Sequence, residues 1–485
     1  MKKRQKTRPS VIVSLIPVVL LVGLLSYCIT IFGDGMLSGP SQLVLMLCTG
    51  VAVFISLVFY GLTWQELENA MVISISRTMS ANLILLMVGG LCGTWMHSGV
   101  IPTMIYYGLE VISARWLLIT SCVLCALVSI CIGSSWTTIA TIGVGLMGIG
   151  RTLGLEDGWV AGAIISGAYF GDKMSPLSET TNLASSISDV PLFTHIRNLL
   201  FTTAPTLLIT LVIFVVAGLI EGGAVDSTDN TALEMQQHLK NTFPITLWLL
   251  ALPLLVFLLI YRGLAATAVL FIGMVAGGII VCFTQGFDFA IECAFGEVGY
   301  VTGVTTIDSL TCTRGMGGML YTIWLILCSM CFGGVMERSG MLESITESLL
   351  KVIKGRTSAV ATTCLSSLFL NATTGDQIIS IVLPSKMYGS TFDKLRLPRK
   401  LMSRSLEDGG TVTSVLVPWN SCGMTQSTVL GVATTIYAPY TFFCWISPLM
   451  SITTAIVKQY ILKTPDKESD FVTISGQAGE DGKEN

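Results

Sequence analysis

Long apolar segments follow one another along almost the whole chain and are separated by short polar turns. Runs of roughly 18–25 apolar residues recur from Val11 to Leu462, and an α-helix needs about 20 such residues to cross the hydrocarbon core of a bilayer. Eight runs predict uninterrupted spans, near residues 11–32, 41–61, 80–97, 193–221, 244–261, 263–284, 313–337 and 436–462. The pattern therefore predicts an all-α polytopic membrane protein.

Two apolar pairs and two interrupted segments lie between these spans. Residues 113–150 and 357–392 each form an apolar pair with a polar tip, whereas 156–189 and 396–432 are apolar segments with a polar break. Each pair returns to its starting side, whether it crosses the membrane fully or enters and leaves as a re-entrant hairpin. With the two broken helices counted as spans, we predict about 10 spans plus about 2 hairpins.

The composition supports the membrane assignment and argues against several other classes of protein. Of 485 residues, 52% are hydrophobic and only 12% are charged, against about 25% charged residues in a globular domain. There is no phosphate-binding Gly-Lys-Ser/Thr loop, the three histidines lie far apart, and the cysteines are scattered through apolar segments as packing residues. We therefore predict neither an enzyme nor a nucleic-acid-binding protein, and no cofactor.

The distribution of Lys and Arg predicts how the chain is oriented. If the N-terminus is cytoplasmic, 22 of the 27 basic residues collect on the inner side, and Lys173 stays at membrane depth. The four that lie outside are Arg115, Arg151, Lys240 and Arg314. This asymmetry is what the positive-inside rule requires. Both termini are then cytoplasmic, and the polar residues 465–485 form a disordered cytoplasmic tail.

The first apolar run has a second interpretation. Its basic start and short apolar core also fit a secretory signal peptide. However, no small-x-small cleavage site follows, and the bulky Tyr27 precedes Cys28 where a lipoprotein signal has a small residue. We favour a first helix that is retained.

Two halves of the chain align without a gap when one is shifted by 241 residues. Gly93–Gly99 then falls on Gly334–Gly340, and Arg115 falls on Arg356. Few residues are identical, but both halves show three spans, an apolar pair, a broken span and a closing span. Because each half crosses the membrane an odd number of times, the second must be inverted, which is an architecture of secondary transporters.

These repeats define the predicted organisation of the chain. In transporters built this way the binding site lies near the midplane, where the two halves meet. We therefore expect the polar tips and breaks to form the site. The predicted units are a first inverted repeat at 1–222 (hairpin 113–150, broken helix 156–189), an external linker at 223–243, and a second repeat at 244–464 (hairpin 357–392, broken helix 396–432).

The strongest polar signal follows the apolar segment that ends at Phe170. Two acids, a lysine, a proline and several hydroxyl or amide side chains occur within Gly171–Asn182. A bare central charge costs roughly 2.5–3.5 kcal/mol on the insertion scale, so such a cluster persists only where protein or water surrounds it. The predicted site residues in this segment are Asp172, Lys173, Ser175, Ser178, Glu179, Thr181 and Asn182.

Three more polar segments complete the predicted site. Carboxylate, hydroxyl and freed carbonyl oxygens suit a small cation such as Na⁺, whereas helix N-termini at the hairpin tips suit an anion. The residues alone therefore leave both a cation and an organic anion open as cargo. These further candidates are Ser134, Ser135 and Thr137 at the first tip, Asp376 and Gln377 at the second tip, and Glu407, Asp408, Thr411 and Asn420 at the second break.

Each of these polar features also has a purely structural interpretation. The tips can be tight turns, and Pro176 and Pro418 can be simple helix kinks. One of Glu407 and Asp408, which follow Arg404, can be a solvated helix end.

The two aspartates of the first break and the second tip can instead belong to structural ion pairs. Lys173 is adjacent to Asp172 and would not face it on a helix. We therefore expect Lys173 to pair with Asp376 across the repeats. The alternatives are that Lys173 faces Glu407 or Asp408, or that it supplies the positive charge that an anionic cargo needs.

Three motifs resemble the NhaC family of sodium/proton antiporters. They are Gly167–Ala184 (GAYFGDKMSPLSETTNLA), Asp376–Pro384 (DQIISIVLP) and Leu406–Gly423 (LEDGGTVTSVLVPWNSCG). The first motif is long and specific, and the resemblance covers nearly the whole chain. Glu179 stands where the family commonly has Asp, and Val415 stands where Ser-Pro-Leu is usual, but neither change removes a carboxylate.

The resemblance implies a Na⁺/H⁺ antiporter of the bacterial inner membrane. It also implies the fold of the wider ion-transporter superfamily, in which re-entrant hairpins and broken helices form a mobile domain, often in elevator-type homodimers. A carboxylate that holds either a proton or Na⁺, never both, gives exchange by competition. On this hypothesis Asp172 is that carboxylate, Asn182 is its companion Na⁺ ligand, and Thr181 and Ser178 are neutral ligands or supports.

The second half would supply a pseudo-symmetric counterpart, formed by Asp376 and by Glu407 and Asp408. Some relatives resemble exchangers of organic acids, malate against lactate, so a small carboxylate or an amino acid is the alternative cargo. A passive channel or membrane scaffold would explain the spans but not two matched polar breaks.

Overall fold

A computed structural model describes residues 9–32, 39–225, 229–299 and 312–458. These ranges contain 23 α-helices, two π-helices and several short 3-10 turns. The predicted tail 465–485 and part of the predicted linker lie outside the described residues. The α-helices are α1 Val11–Phe32, α2 Pro40–Tyr60, α3 Trp64–Arg77, α4 Met79–His97, α5 Val100–Val111, α6 Ala114–Ile132, α7 Ser135–Thr138, α8 Val144–Thr152, α9 Asp157–Met174, α10 Glu179–Ile187, α11 Leu192–Val225, α12 Asp229–Thr242, α13 Ala251–Tyr261, α14 Ala266–Gln285, α15 Phe287–Phe295, α16 Leu320–Arg338, α17 Met341–Leu350, α18 Arg356–Thr374, α19 Gln377–Lys394, α20 Arg399–Leu406, α21 Ser421–Leu430, α22 Thr434–Tyr437 and α23 Phe442–Ile456.

Seven helices in the described ranges are long and apolar enough to cross a membrane by length and composition. They are α1, α2, α4, α6, α11, α14 and α16. An eighth crossing results if the end of α12 and the segment through α13, which meet at 91°, are one broken span. The prediction of an all-α, multi-pass membrane protein is thereby confirmed.

Two of the predicted spans are not single helices. Residues 247–250 form a 3-10 helix before α13, and residues 434–440 contain α22 and a second 3-10 turn before α23. Pro439 lies in that turn, and a proline cannot donate the backbone hydrogen bond that a continuing helix needs. The prediction of uninterrupted spans at 244–261 and 436–462 is therefore wrong in the first residues of each.

The first predicted hairpin, hairpin 1, consists of two helical arms on either side of residue 133. α6 ends at Gly133, whose φ of 74° lies in the left-handed region that favours glycine. Ser134 then caps the second arm by accepting a hydrogen bond from the Thr137 N–H at 3.2 Å. That arm runs through α7, the π-helix Ile139–Gly143 and α8. A Cβ on Gly133 would approach Leu177 to 2.7 Å, so the tip lies directly against the break that follows α9.

Close packing of small residues joins the first arm, α6, to α9. A Cβ on Gly167 would lie 2.0 Å from the Cys122 carbonyl oxygen, and one on Gly171 would lie 2.4 Å from the Ala126 carbonyl oxygen. The Ser129 hydroxyl adds a hydrogen bond of 2.6 Å to a carbonyl of α9. Small residues that let helix backbones approach are a common means of association inside membranes. α6 therefore fixes the position of the C-terminal end of α9.

Hairpin 2, formed by α18 and α19, has the same construction. α18 ends at Gly375, with a φ of 65°, and Asp376 caps α19 by accepting a hydrogen bond from the Ile378 N–H at 2.7 Å. α20 continues directly into the π-helix Glu407–Thr411, and after a non-helical turn at 417–420 the chain forms α21. The second broken segment therefore has its polar residues in a π-helix and a turn.

Helices in the two halves begin at matched positions. The first residues of α6, α7, α9 and α10 lie 242 residues before those of α18, α19, α20 and α21. Gly99 and Gly340, with φ of 87° and 76°, keep the spacing of 241 on which the sequence alignment was based. The same order of hairpin, broken helix and short helix therefore occurs twice, with one residue added before hairpin 2.

The contact between α6 and α9 gives a first prediction. Gly167→Ala should destabilise the protein by about 1–3 kcal/mol, the usual cost of overpacking, because the new methyl group meets backbone atoms that cannot rotate away. The measurement is thermal unfolding of the detergent-solubilised protein. Gly50→Ala in α2, where nothing lies within 4 Å of the added Cβ, is the matched control. Equal melting curves for the two variants would contradict the close approach of α6 and α9.

Candidate functional site

The tips of both hairpins meet the two broken segments. At the tip of hairpin 1 the Ser135 hydroxyl donates to the Asp172 carboxylate at 2.7 Å. At the tip of hairpin 2 the Gln377 amide donates to the Thr411 carbonyl at 3.0 Å, and the Ser421 N–H of α21 donates to a tip carbonyl at 2.9 Å. The structure therefore brings together the four polar segments that the sequence singles out.

Asp172 lies in the last turn of α9, at the edge of the protein interior. Its side chain is only 8% exposed. Besides the hydrogen bond from Ser135, the carboxylate is approached by the Ser178 hydroxyl and by the backbone N–H at the start of α7, and Glu179 lies within electrostatic range. The arrangement places one carboxylate among hydroxyl oxygens at the end of one helix and the start of two others.

The break after α9 is held in shape by side chains that bond to the backbone. The Asn182 amide donates to the carbonyls of Pro176 and Ser178 at 2.8 and 2.7 Å, and the Thr181 hydroxyl donates to the Lys173 carbonyl at 3.1 Å. Asn182 is exposed, and its contacts support the loop rather than reach the carboxylate of α9. Its assignment as a Na⁺ ligand stays a prediction.

Other candidates of the first half are used locally. The Ser175 hydroxyl accepts from the Leu177 N–H at 3.2 Å, and the Thr137 hydroxyl donates to that of Ser134 at 3.1 Å. Glu179 is exposed at the start of α10. These residues shape the tip and the break without contacting one another across the site.

Lys173 points in a different direction from Asp172 and forms a buried ion pair with Asp408. Both side chains are 0% exposed. The Lys173 ammonium also donates to the Ser447 hydroxyl at 2.9 Å and lies 5.7 Å from the centre of the Phe443 ring. Asp408 accepts further hydrogen bonds from Ser447 at 2.5 Å and Thr202 at 3.1 Å. The pair thus joins the first broken helix to the second, with α11 and α23 supplying the remaining hydrogen bonds.

The expected pairing of Lys173 with Asp376 is wrong. Asp376 is the N-cap of α19, where one carboxylate oxygen accepts from the Ile378 N–H. The other oxygen is buried without a hydrogen-bond partner among the described residues, and the charged groups in electrostatic range are Arg77 and Glu337. The turn at Gly375 directs the Asp376 carboxylate to the first turn of α19, so it does not reach Lys173.

Glu407 is a second acid at the centre of the site. It is 0% exposed, and within the described ranges neither of its carboxylate oxygens has a hydrogen-bond partner. The Thr411 hydroxyl lies beside this carboxylate, and Lys173, Asp172 and Asp408 lie within its electrostatic range. Buried polar atoms are nearly always paired in folded proteins, so this carboxylate faces a place where a proton, a cation or water is expected.

A π-helix gives the second broken segment its geometry. It begins at Glu407 and includes Gly409, at which a Cβ would lie 2.5 Å from the Cys364 Cα on α18. π-Helical turns expose backbone groups and are frequent at functional sites. The Asn371 amide donates to the Gly410 carbonyl at 2.7 Å, and the Asn420 amide in turn donates to the Asn371 side chain at 3.2 Å.

Several residues around the site had no signal in the sequence. Thr202 and Ser447 lie in apolar helices, where hydroxyl residues commonly bond within their own helix, so nothing marks them as partners of Asp408. Cys422 follows the Asn420 cap, and its thiol donates to the Gln377 amide oxygen at 3.4 Å. These side chains are far from their partners in the sequence, and only their contacts in the folded chain show that they belong to the site.

Two cavities lie at opposite ends of α16. The first, the α21 cavity, has a volume of about 520 Å³ and is lined by Thr322 of α16, Arg151 and Asp157, and the end of α21 at Leu430. The second has a volume of about 510 Å³ and is lined by Arg77 and by the C-terminal residues of α16. Neither lining includes Asp172 or Glu407.

Comparison with known proteins gives a consistent result. The model of the Na⁺/H⁺ antiporter family matches residues 167–458. The chain is 37% identical over 407 residues to the Na⁺/H⁺ antiporter NhaC of Bacillus subtilis strain 168, covering 83% of this chain and 89% of the relative. It is also 36% identical to the malate-2H⁺/Na⁺-lactate antiporter of the same organism (87% and 89% covered) and 35% identical to the arginine/ornithine antiporter ArcD of Halobacterium salinarum (81% and 82% covered).

The buried pair gives the second prediction. Lys173→Ala should destabilise the protein by about 3–5 kcal/mol, because it leaves Asp408 as a buried charge without its partner. Adding Asp408→Asn should recover part of this loss, since neither charge is then unpaired. Chemical unfolding in detergent measures the coupling energy in a double-mutant cycle.

The matched control is the same cycle with Asp376→Asn in place of Asp408→Asn, which should show additive effects. Coupling in the control cycle and none in the Asp408 cycle would restore the pairing expected from the sequence.

Proposed function

This chain belongs to the Na⁺/H⁺ antiporter family, and we propose that it exchanges Na⁺ for H⁺ across the bacterial inner membrane by alternating access. The observation that carries the proposal is that two buried acids from the two broken segments, Asp172 and Glu407, lie within electrostatic range of each other. Two curated relatives named as Na⁺/H⁺ antiporters each share at least 37% identity with more than three quarters of the chain. The proposed cargo is therefore Na⁺ and H⁺, the two ions named for these relatives.

The proposed coupling is competition at Asp172. Its carboxylate holds either a proton or Na⁺, and the hydroxyls of Ser135 and Ser178 supply further oxygen ligands of the kind that hard cations prefer. Because one acid accepts only one of the two ions at a time, each passage of Na⁺ in one direction releases the site for a proton in the other. Thr181 and Asn182 act by keeping the break in place.

Glu407 supplies the second acid of the proposed mechanism. A buried ionised carboxylate without hydrogen bonds from the protein needs a cation or a proton close to it. Asp408 cannot serve in this way while it is bound to Lys173, Ser447 and Thr202. We therefore assign ion or proton binding to Glu407 and a structural, charge-balancing role to the Lys173–Asp408 pair.

The proposed architecture follows the repeated order of elements. We propose inverted repeats at 1–222 and 244–464 joined by the linker 223–243, with hairpins that enter and leave the membrane on the same side. Both termini are cytoplasmic, and the functional unit is a homodimer in which the site moves relative to a fixed part. The charge asymmetry supports the orientation, and the matched helix starts of the two halves support the repeats.

Two relatives are named for organic solutes, which is the specific reason to test a second cargo. One is the malate-2H⁺/Na⁺-lactate antiporter and the other the arginine/ornithine antiporter. The decisive assay uses proteoliposomes containing a pH-sensitive dye and pulsed with Na⁺, Li⁺, K⁺, malate, lactate, arginine or ornithine. Proton movement that requires one of the organic solutes, and is absent with Na⁺ alone, would replace the proposed function by the alternative.

The third prediction tests the shared carboxylate. Asp172→Asn keeps the size of the side chain but removes the charge that both ions need, so Na⁺-dependent proton movement in proteoliposomes should be abolished. Asp189→Asn, the same change at an exposed aspartate of the first half, should exchange as wild type does. Wild-type exchange by Asp172→Asn would show that the two ions compete elsewhere.

The fourth prediction concerns orientation. In a Cys312→Ser background, which removes the exposed native thiol, Asn241→Cys should react with an impermeant maleimide from the outer side. Lys394→Cys, also at an exposed residue, should react only after the membrane is permeabilised. Labelling of both from one side would overturn the proposed inverted topology.

A further inference from the structure

The second broken segment contains a hydroxyl group that is completely buried and has no partner. Thr411 ends the π-helix and is 0% exposed, and its hydroxyl oxygen has no hydrogen-bond partner among the described residues. Two neighbouring hydroxyls bond to backbone carbonyls of their own segment, that of Thr413 at 2.5 Å and that of Ser414 at 2.7 Å. Such a bond is the usual arrangement for a hydroxyl on a helix, and Thr411 departs from it.

The backbone carbonyl of Thr411 is already occupied. It accepts hydrogen bonds from the Gln377 amide at 3.0 Å and from the Ser414 hydroxyl at 2.7 Å, and a carbonyl oxygen has two lone pairs. These two bonds fix the end of the π-helix against the tip of hairpin 2. The hydroxyl is therefore the oxygen of Thr411 that remains for a ligand.

The Thr411 hydroxyl lies beside the Glu407 carboxylate. The two residues are the ends of the π-helix, and positions four apart in a helical turn lie on one side. Within the described ranges, however, none of the three side-chain oxygens is hydrogen-bonded. A proton joins two oxygens through a hydrogen bond, whereas a hard cation contacts several oxygens that need not bond to one another. Three buried, unbonded oxygens side by side are thus the arrangement expected around a small cation.

The buried cations near Glu407 are directed to other groups. Lys173 lies within its electrostatic range but is bound to Asp408. Arg404, in the preceding turn of α20, has the same Asp408 within its electrostatic range and donates to the Thr454 hydroxyl at 3.4 Å. Neither cation forms a hydrogen bond to Glu407. A buried charge without a partner is costly, so a bound cation would supply the positive charge that this carboxylate lacks.

The oxygens around Glu407 are separate from those around Asp172. The hydroxyls beside Asp172 belong to Ser135, at the tip of hairpin 1, and to Ser178, just before α10. Thr411 belongs instead to the second broken segment. The two carboxylates lie within electrostatic range of each other, but each has its own hydroxyl neighbours, so the two groups of oxygens can hold two cations at once.

We propose that Glu407 and Thr411 form a second Na⁺ site, separate from the one at Asp172, so that each chain binds two Na⁺. This inference deepens the proposed Na⁺/H⁺ exchange and rests on it. The Glu407 carboxylate supplies the negative charge, and the Thr411 hydroxyl supplies a neutral oxygen that a Na⁺ ion uses and a proton on the carboxylate does not need. Because Gln377 holds the Thr411 carbonyl, the position of this hydroxyl depends on the tip of hairpin 2.

The test measures equilibrium binding of radioactive Na⁺ to the purified protein in detergent. Wild type should bind two Na⁺ per chain, and Asp172→Asn should still bind one. In this Asp172→Asn background, Thr411→Val keeps the shape of the side chain but removes the hydroxyl, so Na⁺ affinity should fall about tenfold, the effect of one lost polar interaction. Glu407→Gln should abolish the remaining binding, and Thr411→Ser, which keeps the hydroxyl, should bind Na⁺ as the background does.

The matched control is Thr210→Val in the same background. Thr210 is a buried threonine of α11 whose hydroxyl donates to the Thr206 carbonyl at 2.8 Å, and its substitution should leave Na⁺ binding unchanged. One Na⁺ per wild-type chain, no saturable binding by Asp172→Asn, or a folded Thr411→Val variant that binds Na⁺ as tightly as its background would each overturn the second site. Two Na⁺ bound by a wild-type protein that moves no protons in proteoliposomes pulsed with Na⁺ would overturn the proposed function instead.

Discussion

The rest of the structure depends on the way in which the polar end of α9 is satisfied without water. A bilayer offers no hydrogen bonds, so two charged side chains at consecutive positions must find their partners within the protein. Consecutive residues of a helix point about 100° apart, and Asp172 and Lys173 therefore meet different walls. One faces the tip of hairpin 1, and the other faces Asp408 in the second half. The charge of Lys173 is therefore balanced by Asp408. Asp172 lies outside this ion pair and remains available for an ion.

The same separation explains why the two acids of the second break differ. Asp408 has a lysine and two hydroxyls around it, whereas the neighbouring Glu407 has none of these partners. Adjacent side chains of a helical turn point to different sides, so the two acids meet different surroundings. In both broken segments a residue of the buried ion pair therefore stands next to a carboxylate that lies outside this pair, Asp172 beside Lys173 and Glu407 beside Asp408.

Much of the fold was predictable because lipid imposes a simple pattern. Apolar runs and their polar interruptions located both hairpins and both breaks, and Gly133 and Gly375 mark the tips where only a left-handed turn fits. The candidate residues were located by the same logic, but their pairing was not. Lys173 pairs with Asp408 rather than Asp376 because of the rotation of α9 and because Asp376 caps α19. Neither feature can be inferred from composition or spacing. Thr202 and Ser447 were missed for the same reason.

The glycine contacts between α6 and α9 have a mechanical consequence. Because Gly167 and Gly171 bring the two backbones into contact, the first arm of hairpin 1 and the helix that carries Asp172 cannot slide past each other and must travel as one body. Regular α-helix is interrupted close to this body at the π-helix Ile139–Gly143 and at the four residues after Met174. The carboxylate proposed to bind the ion, Asp172, thus lies at the end of a rigid two-helix body, directly before a break in the chain's helical structure.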